Sequence, residues 1–97
     1  MPKFRKKPVV IEAFQLTDET RADNRDWPDW LNRAWNLERD EVGAVSPFIE
    51  GAGEGALQIV TLEGVHRCDI GDWILQGVKG ELYPCKPDIF AATYDAA

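Results

Sequence analysis

Val9–Leu16 reads VVIEAFQL, a β-branched and aromatic run broken by one charge at Glu12, with Pro8 in front where a missing amide donor matters least. Apolar side chains fall on both parities, Val9, Ile11 and Ala13 against Val10, Phe14 and Leu16. That pattern predicts a strand covered on both faces, hence a central one. Thr17–Arg25 is polar and reads as a connector. The period then changes. Trp27, Trp30, Leu31, Ala34 and Trp35 recur at helical spacing, with Asn32, Arg33 and Asn36 off the stripe. Asn24 or Asp26 as cap, Pro28 in the first turn and Asp29 at the positive end of the dipole predict an amphipathic helix over 28–37.

Ala44–Ile49 predicts a short strand that Pro47 confines to an edge, and Glu50–Gly55 a flexible loop. A hairpin follows over Leu57–Ile70. With a turn at Glu63-Gly64, Ile59 opposes Cys68 and Leu57 opposes Ile70. One face then carries Leu57, Ile59, Thr61, His66, Cys68 and Ile70, and the other Gln58, Val60, Leu62, Val65, Arg67 and Asp69. A slip by one residue would mix these sets. Gly71-Asp72 makes a corner, and Trp73–Gln76 returns through Gly77–Gly80 along Glu81–Tyr83, which Pro84 is expected to end, with Trp73 opposite Pro84 and Ile74 opposite Tyr83. Pro87 and Asp88 open a last helical turn in which Phe90 and Tyr94 pair at i, i+4. The expected architecture is one α+β domain over 1–97. It has a mainly antiparallel sheet of five or six strands, two C-terminal hairpins, one helix packed on the sheet and a short C-terminal helical turn.

Ninety-seven residues leave room for one core, and 44% apolar with 29% charged residues is an ordinary globular mixture. The net charge of −6 is unevenly spread: Lys3, Arg5, Lys6 and Lys7 begin the chain, while the remainder sets seven basic against seventeen acidic side chains. So acidic a body repels phosphate backbones and argues against nucleic acid as a partner. The first 20 residues hold neither a long apolar run nor a small-residue cleavage site, and no stretch is long enough to span a membrane. A cytoplasmic location with reduced thiols is expected.

Candidate chemistry is sparse. One histidine and two cysteines lack the paired spacing of a zinc site, so no metal and no cofactor are expected. A triad of His66 with Cys68 or Cys85 and an aspartate can be drawn, but His66 and Cys68 share a face with three aliphatic side chains and read as core. Gly51, Gly53 and Gly55 do not form a phosphate loop, because no lysine follows and Glu50 and Glu54 would repel the ligand. No catalytic residue is assigned, and the chain is expected not to be an enzyme. Trp73, Tyr83, Lys79 and Lys86 surround the second hairpin, with Arg67 next. Aromatic faces beside cations suit a small anionic, nucleotide-like ligand. Three tryptophans on one short helix make Trp30 and Trp35 the candidates for a protein partner.

KFRKKPVVIEAFQ at 3–15, TLEGVHRCDIGDWI from Thr61 and GVKGELYPCKPDIFAATY from Gly77 resemble a family of small proteins carried by tailed phages and prophages. Ile70–Ile74 is also similar to the domain type named for a Pro-Gly-Asp-Tyr-Gly motif. It shares the Gly-Asp-aromatic corner but not the Pro, the Tyr or the final Gly. The resemblance implies a phage accessory protein in the host cytoplasm, a homo-oligomer that counters host defence by sequestering a nucleotide-like signal. It also leaves room for a module that inhibits a host protein, or for a minor structural or assembly protein.

Overall fold

The computed structural model describes residues 2–4, 9–22, 24, 26–48 and 55–96. Strands β1 (Glu12–Gln15), β2 (Val45–Pro47), β3 (Leu57–Thr61), β4 (Gly64–Cys68), β5 (Trp73–Gln76) and β6 (Leu82–Cys85) and helices α1 (Asp18–Ala22), α2 (Asp29–Trp35) and α3 (Pro87–Thr93) follow in the order β1-α1-α2-β2-β3-β4-β5-β6-α3. The α+β expectation holds. The strands divide into two antiparallel sheets of three, ordered β1-β5-β6 and β2-β3-β4. One core joins them, built from Leu16, Leu31, Val45, Leu57, Ile59, Cys68, Ile74 and Leu82 with the α2 face of Trp30 and Ala34.

β1 is an edge strand, not a central one, and is shorter than its apolar run. Val9 and Val10 precede it and are exposed. Phe14 faces the core beside Trp27, whereas Ala13, opposite Leu75, belongs to the other face of β5. Apolar side chains on both parities here mean two half-covered faces. Leu16 is fully buried because its N–H donates to the Asp72 carbonyl and its own carbonyl accepts from Gly71 N. The Gly71-Asp72 corner, with Gly71 at φ +100°, thereby clamps the end of β1.

The supposed connector after β1 contains α1. The Thr17 hydroxyl accepts from Thr20 N at 3.2 Å, and the Thr20 hydroxyl accepts from Thr17 N at 2.9 Å. This is a reciprocal capping box with Thr in place of the usual Glu or Gln. α2 is not capped by Asn24 or Asp26, which hold positive φ in the approach to the helix. Pro28 is the N-cap, with no side-chain cap, and its carbonyl accepts from Leu31 N and Asn32 N. The apolar stripe faces inward as expected: Trp27, Trp30, Leu31 and Ala34 are buried.

β2 is the edge strand that Pro47 predicts. The loop over Glu50–Glu54 and Ile49 lie outside the described residues. In the first hairpin the turn sits one residue earlier, so that Thr61 pairs with Gly64, Ile59 with His66 and Leu57 with Cys68. Gly64 at φ +125° enters β4, and the Thr61 hydroxyl accepts from Glu63 N and donates to the Gly64 carbonyl. Partners move by two positions, so the two faces survive intact. The position of His66 does not survive. The hairpin overhangs the core, and His66 is exposed while Cys68, Ile59 and Leu57 on the same face are fully buried. In the second hairpin the partners move by one, Trp73 with Cys85 and Ile74 with Pro84. Pro84 does not end β6, because an edge strand loses nothing by a missing outward donor.

Candidate functional site

Three neighbourhoods hold the side chains with chemical potential. The first is the corner before β5. Asp72 is 4% exposed. Its Oδ2 accepts from Asp69 N at 2.9 Å and from Lys86 Nζ at 2.8 Å. Lys86 Nζ also donates to Asp69 Oδ2 at 3.2 Å, and Arg67 Nε donates to Asp69 Oδ1 at 2.6 Å. The hydrogen bond from Arg67, then that from Lys86, hold the Asp69 carboxyl below its ordinary range. The bonds to Asp72 and Asp69 raise the Lys86 ammonium above its own. The Arg67 guanidinium also lies 4.9 Å from the Phe48 ring. Both cations are thus engaged by carboxylates of the same chain.

The second neighbourhood is aromatic. Trp73 stacks on Phe90 at 4.0 Å with planes 8° apart, and Phe90 on Tyr94 at 5.3 Å. Phe90 and Tyr94 meet as the i, i+4 spacing predicts, and they occupy one face of Trp73. Burial, followed by a hydrogen bond with Tyr94, pushes the Tyr83 phenol up to about 12. With Val9, Ile11 and Ala13, the three stacked rings border a groove of about 350 Å³.

The third is a groove of about 530 Å³ between the overhanging β3–β4 hairpin and the start of β6. Its walls are Val42, Val60, Leu62, Leu82 and Pro84. Tyr83 also lines it, His66 supplies a hydrogen-bonding group, and Glu63 and Glu81 stand at the exposed rim. Leu62 is 91% exposed and Val42 55%, so apolar surface here is held in water.

The five ligand candidates therefore do not converge. Lys86 and Arg67 belong to the acidic corner, Trp73 to the aromatic stack, Tyr83 to the large groove, and Lys79 to the exposed turn after β5. Of the partner candidates, Trp30 is 7% exposed and part of the core, its Nε1 buried and without a hydrogen-bond partner among the described residues, so it offers no surface. Trp35 is half-buried, edge-on to Trp27 at 5.3 Å and covered by the Arg21 guanidinium at 5.4 Å. The large groove escaped sequence reasoning because Val42, forty residues from Leu82, reaches it only through the packing of the two sheets. Its one sequence signal was Leu62, an aliphatic side chain in a turn.

Both cysteines are held as thiols. Burial, then the Asp72 charge, pushes Cys68 up to about 12, and the same causes in the same order raise Cys85. Among the described residues no group of three His, Cys, Asp or Glu is placed to hold a metal ion, and no helix is long and apolar enough to cross a membrane. No family model, curated protein or solved structure matches the chain.

Proposed function

We propose that the chain is a non-catalytic binding module whose ligand seats in the groove between the β3–β4 hairpin and β6. The observation that carries this reading is the groove itself: about 530 Å³, within the range of small-molecule sites, with aliphatic walls and few polar groups. Exposed apolar surface costs roughly 25 cal/mol per Å², which an occupant at Leu62 and Val42 would recover. The rim carboxylates and the acidic body favour an amine or a neutral polar end over a phosphate. The proposed ligand class is therefore a compact apolar or aromatic body bearing an amine. The nucleotide-like alternative would have to displace Lys86 and Arg67 from Asp69 and Asp72. Protonated thiols are poor nucleophiles, which further supports binding over catalysis. In the phage setting that the sequence resembles, such a module would act by sequestration, for which affinity alone suffices.

A second reading has its own observation. Leu62 and Val65 are exposed together at the hairpin, as at a surface that receives an apolar segment of a host protein.

The test is a titration followed by amide chemical shifts, with tryptamine, indole and adenosine monophosphate as probes. The amine should move the resonances of Val60, Leu62, His66 and Leu82, and Leu62→Glu should abolish the effect. Shifts centred on Lys79 and Lys86 with the nucleotide, and none with the amine, would overturn the proposal.

A further inference from the structure

β6 is an edge strand of its sheet, and its hydrogen-bond phase is fixed at both ends. Gly77 N–H donates to the Glu81 carbonyl at 2.8 Å, which makes Gly77 and Glu81 a bonded pair. Bonded and non-bonded pairs alternate along an antiparallel ladder. Gln76 with Leu82 is then non-bonded, Leu75 with Tyr83 bonded, and Ile74 with Pro84 non-bonded, as a proline without an N–H requires. The N–H and C=O of Leu82 and the C=O of Pro84 therefore point away from β5. Leu82 is only 6% exposed, and among the described residues no acceptor meets its N–H. A buried backbone donor is almost always paired in a native fold, so this one calls for an acceptor from outside the sheet.

The large groove is where these groups point. Glu81, Leu82, Tyr83 and Pro84 line it in succession, although adjacent side chains of a strand lie on opposite faces. The Tyr83 phenol is engaged by Tyr94, so Tyr83 reaches the groove through its backbone. The groove thus runs along the edge of β6.

We propose that the occupant of this groove is an extended peptide segment of a partner protein, which adds to β6 as a fourth strand of the β1-β5-β6 sheet. It rests on the reading of the groove as the binding site, and it names the chemistry of the ligand. The added strand runs antiparallel to β6, like the other neighbours in that sheet. Its main chain accepts from Leu82 N–H and donates to the carbonyls of Leu82 and Pro84, while alternate side chains supply specificity. The side chains opposite Leu82 and Pro84 share their face and meet the aliphatic wall of the overhanging hairpin. The side chain between them shares the face of Glu81, a diagonal neighbour within reach of a long side chain. Glu81 and Glu63 are exposed carboxylates at the rim, so charge complementarity sets a lysine there. The segment reads apolar, basic, apolar, which is the apolar body with an amine that the rim selects.

A titration of the full chain with acetyl-Leu-Lys-Leu-amide, followed by amide chemical shifts, tests this. Val60, Leu62 and Leu82 should shift, and exchange of the Leu82 amide should slow. N-methylation of either leucine removes an N–H that faces β6 and should weaken binding about two- to tenfold. N-methylation of the lysine, whose N–H faces away, should leave binding unchanged. Glu81→Lys should erode the preference for this peptide over acetyl-Leu-Glu-Leu-amide. An unmoved Leu82 amide, or equal losses from N-methylation at leucine and at lysine, would overturn the proposal. If tryptamine still moves Leu82 where the peptide does not, the added strand is wrong and the groove stands as a site; if neither moves it, both readings fall.

Discussion

Lys86→Met removes the ammonium from the β5 corner and keeps the aliphatic stem. Asp72 then remains a carboxylate whose side chain is 5% exposed, with the Asp69 N–H as its donor. A hydrogen bond to a charged group contributes about 1.5–3 kcal/mol, and stranding a buried charge is costlier than losing an exposed one. Lys86 is itself 54% exposed, so water screens the pair and the lower part of that range applies, about 2 kcal/mol. For a domain of this size that is a drop in melting temperature of roughly 8–16 °C. Asp72→Asn in the same background removes the stranded charge and keeps an acceptor for Asp69 N. The double variant should therefore recover about half of the loss. Urea unfolding of both single variants and the double closes the cycle. The pH limits follow from the shifts. Asp69 is lowered, so its contribution is present above 3.8 and is lost as pH falls through its folded value. Lys86 is raised, so its contribution is present below 10.5 and is lost as pH rises through its folded value. A Lys86→Met loss below about 0.5 kcal/mol, or a double variant no better than Lys86→Met alone, would refute the argument.

Three further outcomes are expected. Cys68 is raised from 9.0 to about 12, so its thiol favours the fold below pH 9 and that contribution drains away as pH climbs toward 12. Cys68→Ala should flatten the fall in unfolding free energy from pH 9 to 10, before Lys86 begins to titrate. Thr17→Ala breaks the capping box of α1 and should cost about 1 kcal/mol, seen as faster amide exchange confined to Asp18–Ala22. Gly71→Ala meets no neighbouring atom but inherits φ +100°, so it should destabilise by about 1–2 kcal/mol in thermal unfolding, through backbone strain alone.

Periodicity located most elements and failed where it had nothing to count. α2 was legible because five apolar side chains recur at helical spacing, and the strands around Leu57–Gln76 because alternation is a local property. α1 was not, since Asp-Glu-Thr-Arg-Ala has no apolar stripe and its capping box uses two threonines. Register was legible only modulo two in the first hairpin, because alternation marks faces and not partners. In the second it was missed by one, because Pro84 was read as a terminator when its edge position makes it harmless. The edge position of β1 depended on which strand lies beyond it, a non-local fact. The site was least legible of all. Trp73, Lys79, Tyr83, Lys86 and Arg67 are close in sequence, but the sheet sends them to separate surfaces, and the two central cations meet carboxylates contributed by the same corner.

The exposure of His66 and the existence of the large groove have one cause. With the turn centred on Leu62-Glu63, the hairpin runs past the buried pair Leu57 and Cys68 by four further pairs, two of them on the same face, before it reverses. On that face Ile59, in the core, stands opposite exposed His66, and half-buried Thr61 stands opposite exposed Gly64. A shorter hairpin would bury the same number of aliphatic side chains in the core and leave Leu82 and Pro84 with no facing wall. A longer overhang would move Leu62 away from β6. The groove width is therefore set by hairpin length, and shortening the turn by deleting Glu63 should close the site while leaving Leu57, Ile59 and Cys68 packed. That separates the groove from the fold in a way that substitutions of its lining residues cannot.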